Sequence, residues 1–157
     1  MTEGYRPTWV EVELDAIRQN ARLLKPDDAE LMAVVKANGY GHGDVEVTLA
    51  AIEAGASWAG VALVEEGLRL RQAGVEVPIL VLSELPPGSE SVALAHRLTP
   101  TLASDEGLER LAGAARGPVP VHVKVDTGMH RVGVWPPDGA AGFARRAQAA
   151  GLEVEGL

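Results

Sequence analysis

The sequence predicts an α/β fold in which parallel strands are covered by helices. Short apolar runs of strand length alternate with longer runs whose apolar residues recur at helical spacing. The connections between them are brief and punctuated by glycine or proline. Residues 31–35, LMAVV, are apolar throughout, as a strand covered on both faces is. Repeated βα alternation of this kind builds a parallel sheet, either open and doubly wound or part of a (β/α)8 barrel.

The elements follow in order. Residues 9–13 read as a strand, with Val10, Val12 and Leu14 on one side. Asp15 is placed to cap a helix in which Ile17, Ala21 and Leu24 share a face, and Pro26 ends it. After strand 31–35, Asp44 is placed to open a helix carrying Val45, Leu49 and Ile52, with Gly55 beyond its end. Residues 58–63 form the next strand, 64–73 a helix closed by Gly74, 78–82 a strand, and 89–97 a short helix. Residues 98–102 make a weaker strand. Ser104 opens a helix with Leu108, Leu111 and Ala115, and residues 119–125 alternate as a strand does. Residues 137–150 form a helix with Gly151 past its end, and 153–157 begin one more strand.

Composition narrows the function. With 157 residues, 46% apolar and 23% charged, the chain is long and apolar enough for one domain with a true core. No apolar run reaches membrane-spanning length, and the N-terminus lacks a secretory pattern, so the cytoplasm is the expected compartment. The absence of cysteine excludes disulfides, thiolate metal sites and cysteine nucleophiles. A net charge of −8 and only six aromatic residues (three Trp, two Tyr, one Phe) argue against a nucleic-acid binder.

Two segments carry chemistry. In AVVKANGYGHGD, residues 33–44, Lys36 stands where a buried strand runs out. Strand C-termini are where both candidate architectures bind ligands. A lysine there serves as a counter-charge for phosphate, a general base, or an amine that condenses with an aldehyde. The last two need a neutral amine, and holding a lysine neutral at pH 7 costs about 4–5 kcal/mol. Gly39, Gly41 and Gly43 permit positive φ and close backbone approach, Tyr40 adds a hydroxyl, and the amides of a helix starting at Asp44 favour an anion. The order of lysine and glycines matches neither a P-loop nor a dinucleotide fingerprint. His42 lacks neighbours at ligand spacing and reads as a loop or capping residue. The plain alternative is a solvated lysine ahead of a flexible loop.

In VHVKVDTGMHRVGV, residues 121–134, Val121, Val123 and Val125 alternate with His122, Lys124 and Asp126. One strand face is therefore apolar and the other carries three polar groups. Buried charge needs partners, so Lys124 is expected to pair with Asp126 or an acid on another strand. Thr127 and Gly128 turn the chain, and Arg131 follows as a permanent cation. His122 and His130 make a weak case for a metal, and no metal is expected.

Together these two segments resemble alanine racemase, a fold-type III pyridoxal-phosphate enzyme. AVVKANGYGHG is similar to the family's cofactor-lysine signature and KVDTGMHRVG to a second block, while TWVEVELDAIRQNARLL and WAGVALVEEGLRLRQAGVEVPILVLSE read like its N-terminal half. Gly39 stands where many members have Ala, and His130 where many have Gly. The resemblance covers essentially the whole chain but only the N-terminal part of the family's length. It implies an N-terminal strand, residues 1–14, that joins a β domain lying beyond residue 157. It also implies a partial pyridoxal-phosphate-binding (β/α)8 barrel, residues 15–157, with about five strands and the start of a sixth.

The resemblance also implies roles. Lys36 holds the cofactor's aldehyde and then acts as the base on one face of the substrate. Tyr40 contacts the cofactor phosphate and Arg131 its phenolic oxygen. Lys124 matches a lysine that is carbamylated in some members, which turns it into an anion able to hold Arg131. The remaining cofactor contacts lie beyond residue 157. The opposite-face base, a tyrosine, comes from the second subunit of a homodimer. The implied activity is interconversion of L- and D-alanine for peptidoglycan synthesis, with this stretch alone expected to be inactive. A racemase of serine or another small amino acid, a non-catalytic pyridoxal-phosphate-binding barrel, and a phosphate-binding α/β domain are the rival expectations.

Overall fold

A computed structural model describes residues 8–157. Strands β1 (Met32–Val34), β2 (Trp58–Val61), β3 (Ile79–Glu84), β4 (Leu98–Leu102), β5 (Val119–Val123) and β6 (Leu152–Gly156) form one sheet in sequential order, every neighbour parallel. The connections run through helices α3 (Asp44–Glu53), α4 (Val64–Gln72), α5 (Glu90–Ala95), α6 (Asp105–Ala114) and α7 (Ala140–Ala149), the last entered by a 3₁₀ turn at Pro137–Gly139. Helix α1 (Leu14–Leu24) precedes β1 and lies on α3, tied by Arg18 to Glu53 at 2.7 Å. A short helical turn, α2 (Lys36–Tyr40), follows β1.

Sequential order with no reversal is the order of a (β/α)8 barrel wall, not of a doubly wound sheet, whose order reverses at a switch point. The curl is visible in side chains. Trp58 on β2 and His122 on β5 bring their ring centroids to 5.6 Å. In a flat sheet three strand spacings would hold their backbones roughly 14 Å apart. Their meeting makes their face the concave, barrel-interior one.

The opposite face builds the core. Val61, Ile79, Val81, Leu102, Val121 and Val123 are buried against Leu70, Leu111, Phe143 and Ala147 of the helices. Each such large side chain contributes about 1.5–3 kcal/mol by burial. On the concave face His122 is only half-buried, yet burial pushes its imidazole below the usual range, with Glu155 opposing the shift.

Residues 8–13 pair with no strand among the described residues, and Trp9 and Val10 are exposed; the partner expected for them is a β domain beyond residue 157. The earlier part of the expected N-terminal strand lies outside the described residues. One local expectation is corrected. Asp15 does not cap α1; it sits in the first turn and accepts from Arg18 Nη1 at 2.9 Å, while Glu13 occupies the cap position. No described helix is long and apolar enough to cross a membrane.

Candidate active site

β1 delivers its last buried residue, Val35, with its N–H bonded to the Gly60 carbonyl at 2.8 Å, and Lys36 follows half-buried at the strand's C-terminal end. The chain then turns left-handed. Ala37, Asn38, Gly39 and Tyr40 have φ of 52°, 56°, 60° and 54°. Each such residue with a Cβ costs about 1–2 kcal/mol, least for asparagine. Glycine at 39, 41 and 43 was legible as a source of positive φ; Ala37 and Tyr40 were not.

Hydrogen bonds hold this turn. Gly39 N donates to Val35 O at 2.8 Å, Gly41 N to Ala37 O at 3.1 Å, and Gly43 N to Asn38 O at 2.9 Å. His42 Nδ1 lies 3.1 Å from Gly39 O and 3.2 Å from Tyr40 O, so it serves the loop as a cap. A helical turn of either hand puts residues i and i+4 on one side, and the Lys36 ammonium accordingly stands 5.9 Å from the Tyr40 ring centroid.

The anion expectation changes in detail. The amides of Gly39, Gly41, His42 and Gly43 are consumed within the turn. The N-terminus of α3 already has an anion of its own: the buried Asp44 carboxylate accepts from Val45 N at 2.9 Å and pairs with Arg69 at 2.7 Å. Among the groups this segment leaves for a ligand are the Tyr40 hydroxyl and the Lys36 amine, which has no hydrogen-bond or ion-pair partner among the described residues. A half-buried, unpaired primary amine beside a phenol fits a phosphorylated aldehyde such as pyridoxal phosphate.

The second segment lies on the same rim, at the C-terminal end of β5. Lys124 does not pair with Asp126; its Nζ donates to the Leu82 carbonyl of β3 at 3.2 Å. Asp126 turns to its own loop instead, accepting from Gly128 N and His130 N at 2.9 Å each. Those backbone donors, Gly128 first and His130 second, hold its carboxyl below the usual carboxylate range against the effect of burial. Val134 returns to bridge the strand's extension, its N–H donating to Lys124 O at 2.8 Å while Asp126 N donates to Val134 O at 3.1 Å. The loop so closed presents an exposed Arg131 that shares one hollow with Lys124 and Asp126. His130 has φ 53°, a conformation natural to the glycine expected there, and packs its ring edge-on against Trp135 at 4.8 Å. His122 and His130 therefore serve different neighbours.

Two buried or half-buried glutamates escaped the sequence reading. Glu66 is buried and accepts from Ala37 N at 2.7 Å, Ala62 N at 2.8 Å and Leu63 N at 3.0 Å. Glu84 accepts from Ala103 N at 2.8 Å, Ser104 N at 2.9 Å and Ser104 Oγ at 2.8 Å. The one available signal was the position of Glu66 at the third residue of a helix, as in a capping box, but Leu63 at the cap hides that pattern.

Residues 12–157 match the family model described as "Alanine racemase, N-terminal domain". The alanine racemase of Symbiobacterium thermophilum is 48% identical over 99% of this chain and 42% of its own length. That of Geobacillus stearothermophilus is 48% identical over 85% of this chain and 36% of its own. Among solved structures, the alanine racemase of Clostridium difficile 630 in complex with cycloserine superposes with a TM-score of 0.88 at 31% identity, covering 98% of this chain and 44% of that one. That of E. faecalis gives 0.86 at 39% identity, over 95% and 42%. The chain thus spans less than half the length of these relatives.

Proposed function

The chain belongs to the alanine racemase N-terminal domain family, and from that premise we propose that it is the lysine-bearing half of a pyridoxal-phosphate-dependent alanine racemase. The observation that carries this reading is the unpaired Lys36 amine at the end of β1, with Tyr40 folded back beside it by a left-handed turn.

In this reading Lys36 would hold the cofactor's aldehyde through Nζ, and the same Nζ, when not so engaged, would remove or return the Cα proton of alanine on one face. Bound there, pyridoxal phosphate supplies the electron sink that makes that proton removable. Tyr40 directs its hydroxyl to the phosphate. Arg131 directs its guanidinium to the ring's phenolic oxygen, and Lys124, when carbamylated, holds Arg131 in place. A tyrosine of a second subunit serves the opposite face, so the working protein is a homodimer. It acts in the cytoplasm and makes D-alanine for peptidoglycan. Family membership and the two matching segments support these assignments.

The test is to incubate the protein with pyridoxal phosphate, reduce with borohydride and map the modified peptide. Selective reduction onto Lys36, lost in Lys36→Ala, is the expected result. Scattered lysine labelling that persists in Lys36→Ala would overturn the assignment.

A further inference from the structure

We infer that Glu66 is a positioning residue for Lys36, a carboxylate strut that fixes the Lys36–Ala37 peptide from the helix after the neighbouring strand. The inference rests on the function proposed for Lys36. Glu66 sits in the first turn of α4 and is 6% exposed. Its two oxygens have different tasks. Oε2 accepts from Ala62 N at 2.8 Å and Leu63 N at 3.0 Å, which closes the start of its own helix after β2. Oε1 crosses to the end of β1 and accepts from Ala37 N at 2.7 Å. Capping α4 needs only the first.

Ala37 N is the amide directly after Lys36 and the first of the left-handed turn, where no helical carbonyl lies behind it. Its bond to Glu66 sets the plane of the Lys36–Ala37 peptide and so the direction in which Lys36 leaves the backbone. The buried carboxylate has no ion-pair partner among the described residues; its partners are those three N–H groups. Glutamine cannot replace it. An amide offers one oxygen, so with that oxygen toward Ala62 and Leu63 its NH₂ faces the Ala37 N–H, donor against donor.

Glu66→Gln keeps volume and the helix cap while breaking the strut. Adding Leu63→Ser supplies α4 with a side-chain cap if the single variant folds poorly. Hydrogen exchange without cofactor is read over residues 37–41 and over α4, and borohydride trapping of pyridoxal phosphate on Lys36 is timed alongside. The expected result is exchange at 37–41 faster by about tenfold, α4 unchanged, and Lys36 trapping slower by about tenfold. Unchanged exchange at 37–41 and unchanged trapping overturn the inference. Wild-type protein that never labels Lys36 overturns the proposed function instead, and the exchange data still decide whether Glu66 holds the turn.

Discussion

Lys124, one residue past β5, reaches across β4 and donates from Nζ to the carbonyl of Leu82 on β3 at 3.2 Å. That bond ties alternate strands on the concave face and leaves Lys124 and Arg131, two cations, lining one hollow. A carbamate on Lys124, formed from CO₂ and the neutral amine with loss of a proton, reverses one sign. In ¹³C-bicarbonate we expect a carbamate carbon signal that is absent from Lys124→Met. Its absence from the wild type as well would leave the ammonium as the working form. Lys124→Met itself should cost about 1–2 kcal/mol in urea unfolding, the worth of a charge-assisted bond to a carbonyl.

Ala37→Gly should stabilise the protein. Ala37 is exposed, so its methyl buries little, and its φ of 52° is one that glycine adopts without steric cost. Relief of about 1–2 kcal/mol of strain outweighs the added chain entropy of glycine, for a net gain of about 0.5–1 kcal/mol. A rise in Tm of about 1–4 °C is expected. A fall would mean that Ala37 restricts the unfolded chain more than it strains the folded one.

Gly133 and Gly128 separate space from backbone strain in the loop that carries Arg131. Both have positive φ, 147° and 133°. A Cβ at 133 would collide with the backbone of Val125 and Asp126, whereas nothing lies within 4 Å of one at 128. Backbone cannot swing aside, so Gly133→Ala must break the pairing of Val134 with Lys124 and Asp126. We expect it to cost about 2–4 kcal/mol and Gly128→Ala about 1–2 kcal/mol, read by denaturant unfolding. Equal costs would show that conformation alone, and not the close approach, demands glycine at 133.

Much of this was legible because it rests on periodicity. The burial of Val121 and Val123 against helices follows from strict alternation, and Gly55, Gly74 and Gly151 each take positive φ just past a helix, where the sequence placed them. What escaped depends on partners distant in sequence. Glu66 reads as one more acid in a helical run until the fold brings Ala37 N–H to it across 29 positions. Asp126 looked like the partner of Lys124 because the two share a strand face, but three residues of turn offered it backbone donors first. The left-handed Ala37 and Tyr40 oppose local preference outright, and a locally unfavourable backbone is where single-sequence reasoning has least purchase.

The acid limb of the stability profile should show two separate steps. Burial depresses the imidazole of His122 in the folded state, so on acidification the unfolded chain takes up that proton first. The stability present above the unfolded value of about 6.5 is therefore lost as pH falls from there to the lower folded value, and no further below it. Asp126 is depressed by the amides of Gly128 and His130, so its contribution is intact above the unfolded carboxyl value of about 3.9 and is lost only as pH falls through its lower folded value. Unfolding free energies measured by urea from about pH 8 to pH 3 should fall first as pH drops below about 6.5, and His122→Asn should remove that step alone. Asp126→Asn should leave the first step and blunt the second, because the amide oxygen still accepts from the same two N–H groups but no longer titrates. Parallel profiles for wild type and His122→Asn as pH falls below about 6.5 would mean that water reaches the imidazole freely on the concave face, and that the Trp58 contact does not exclude it.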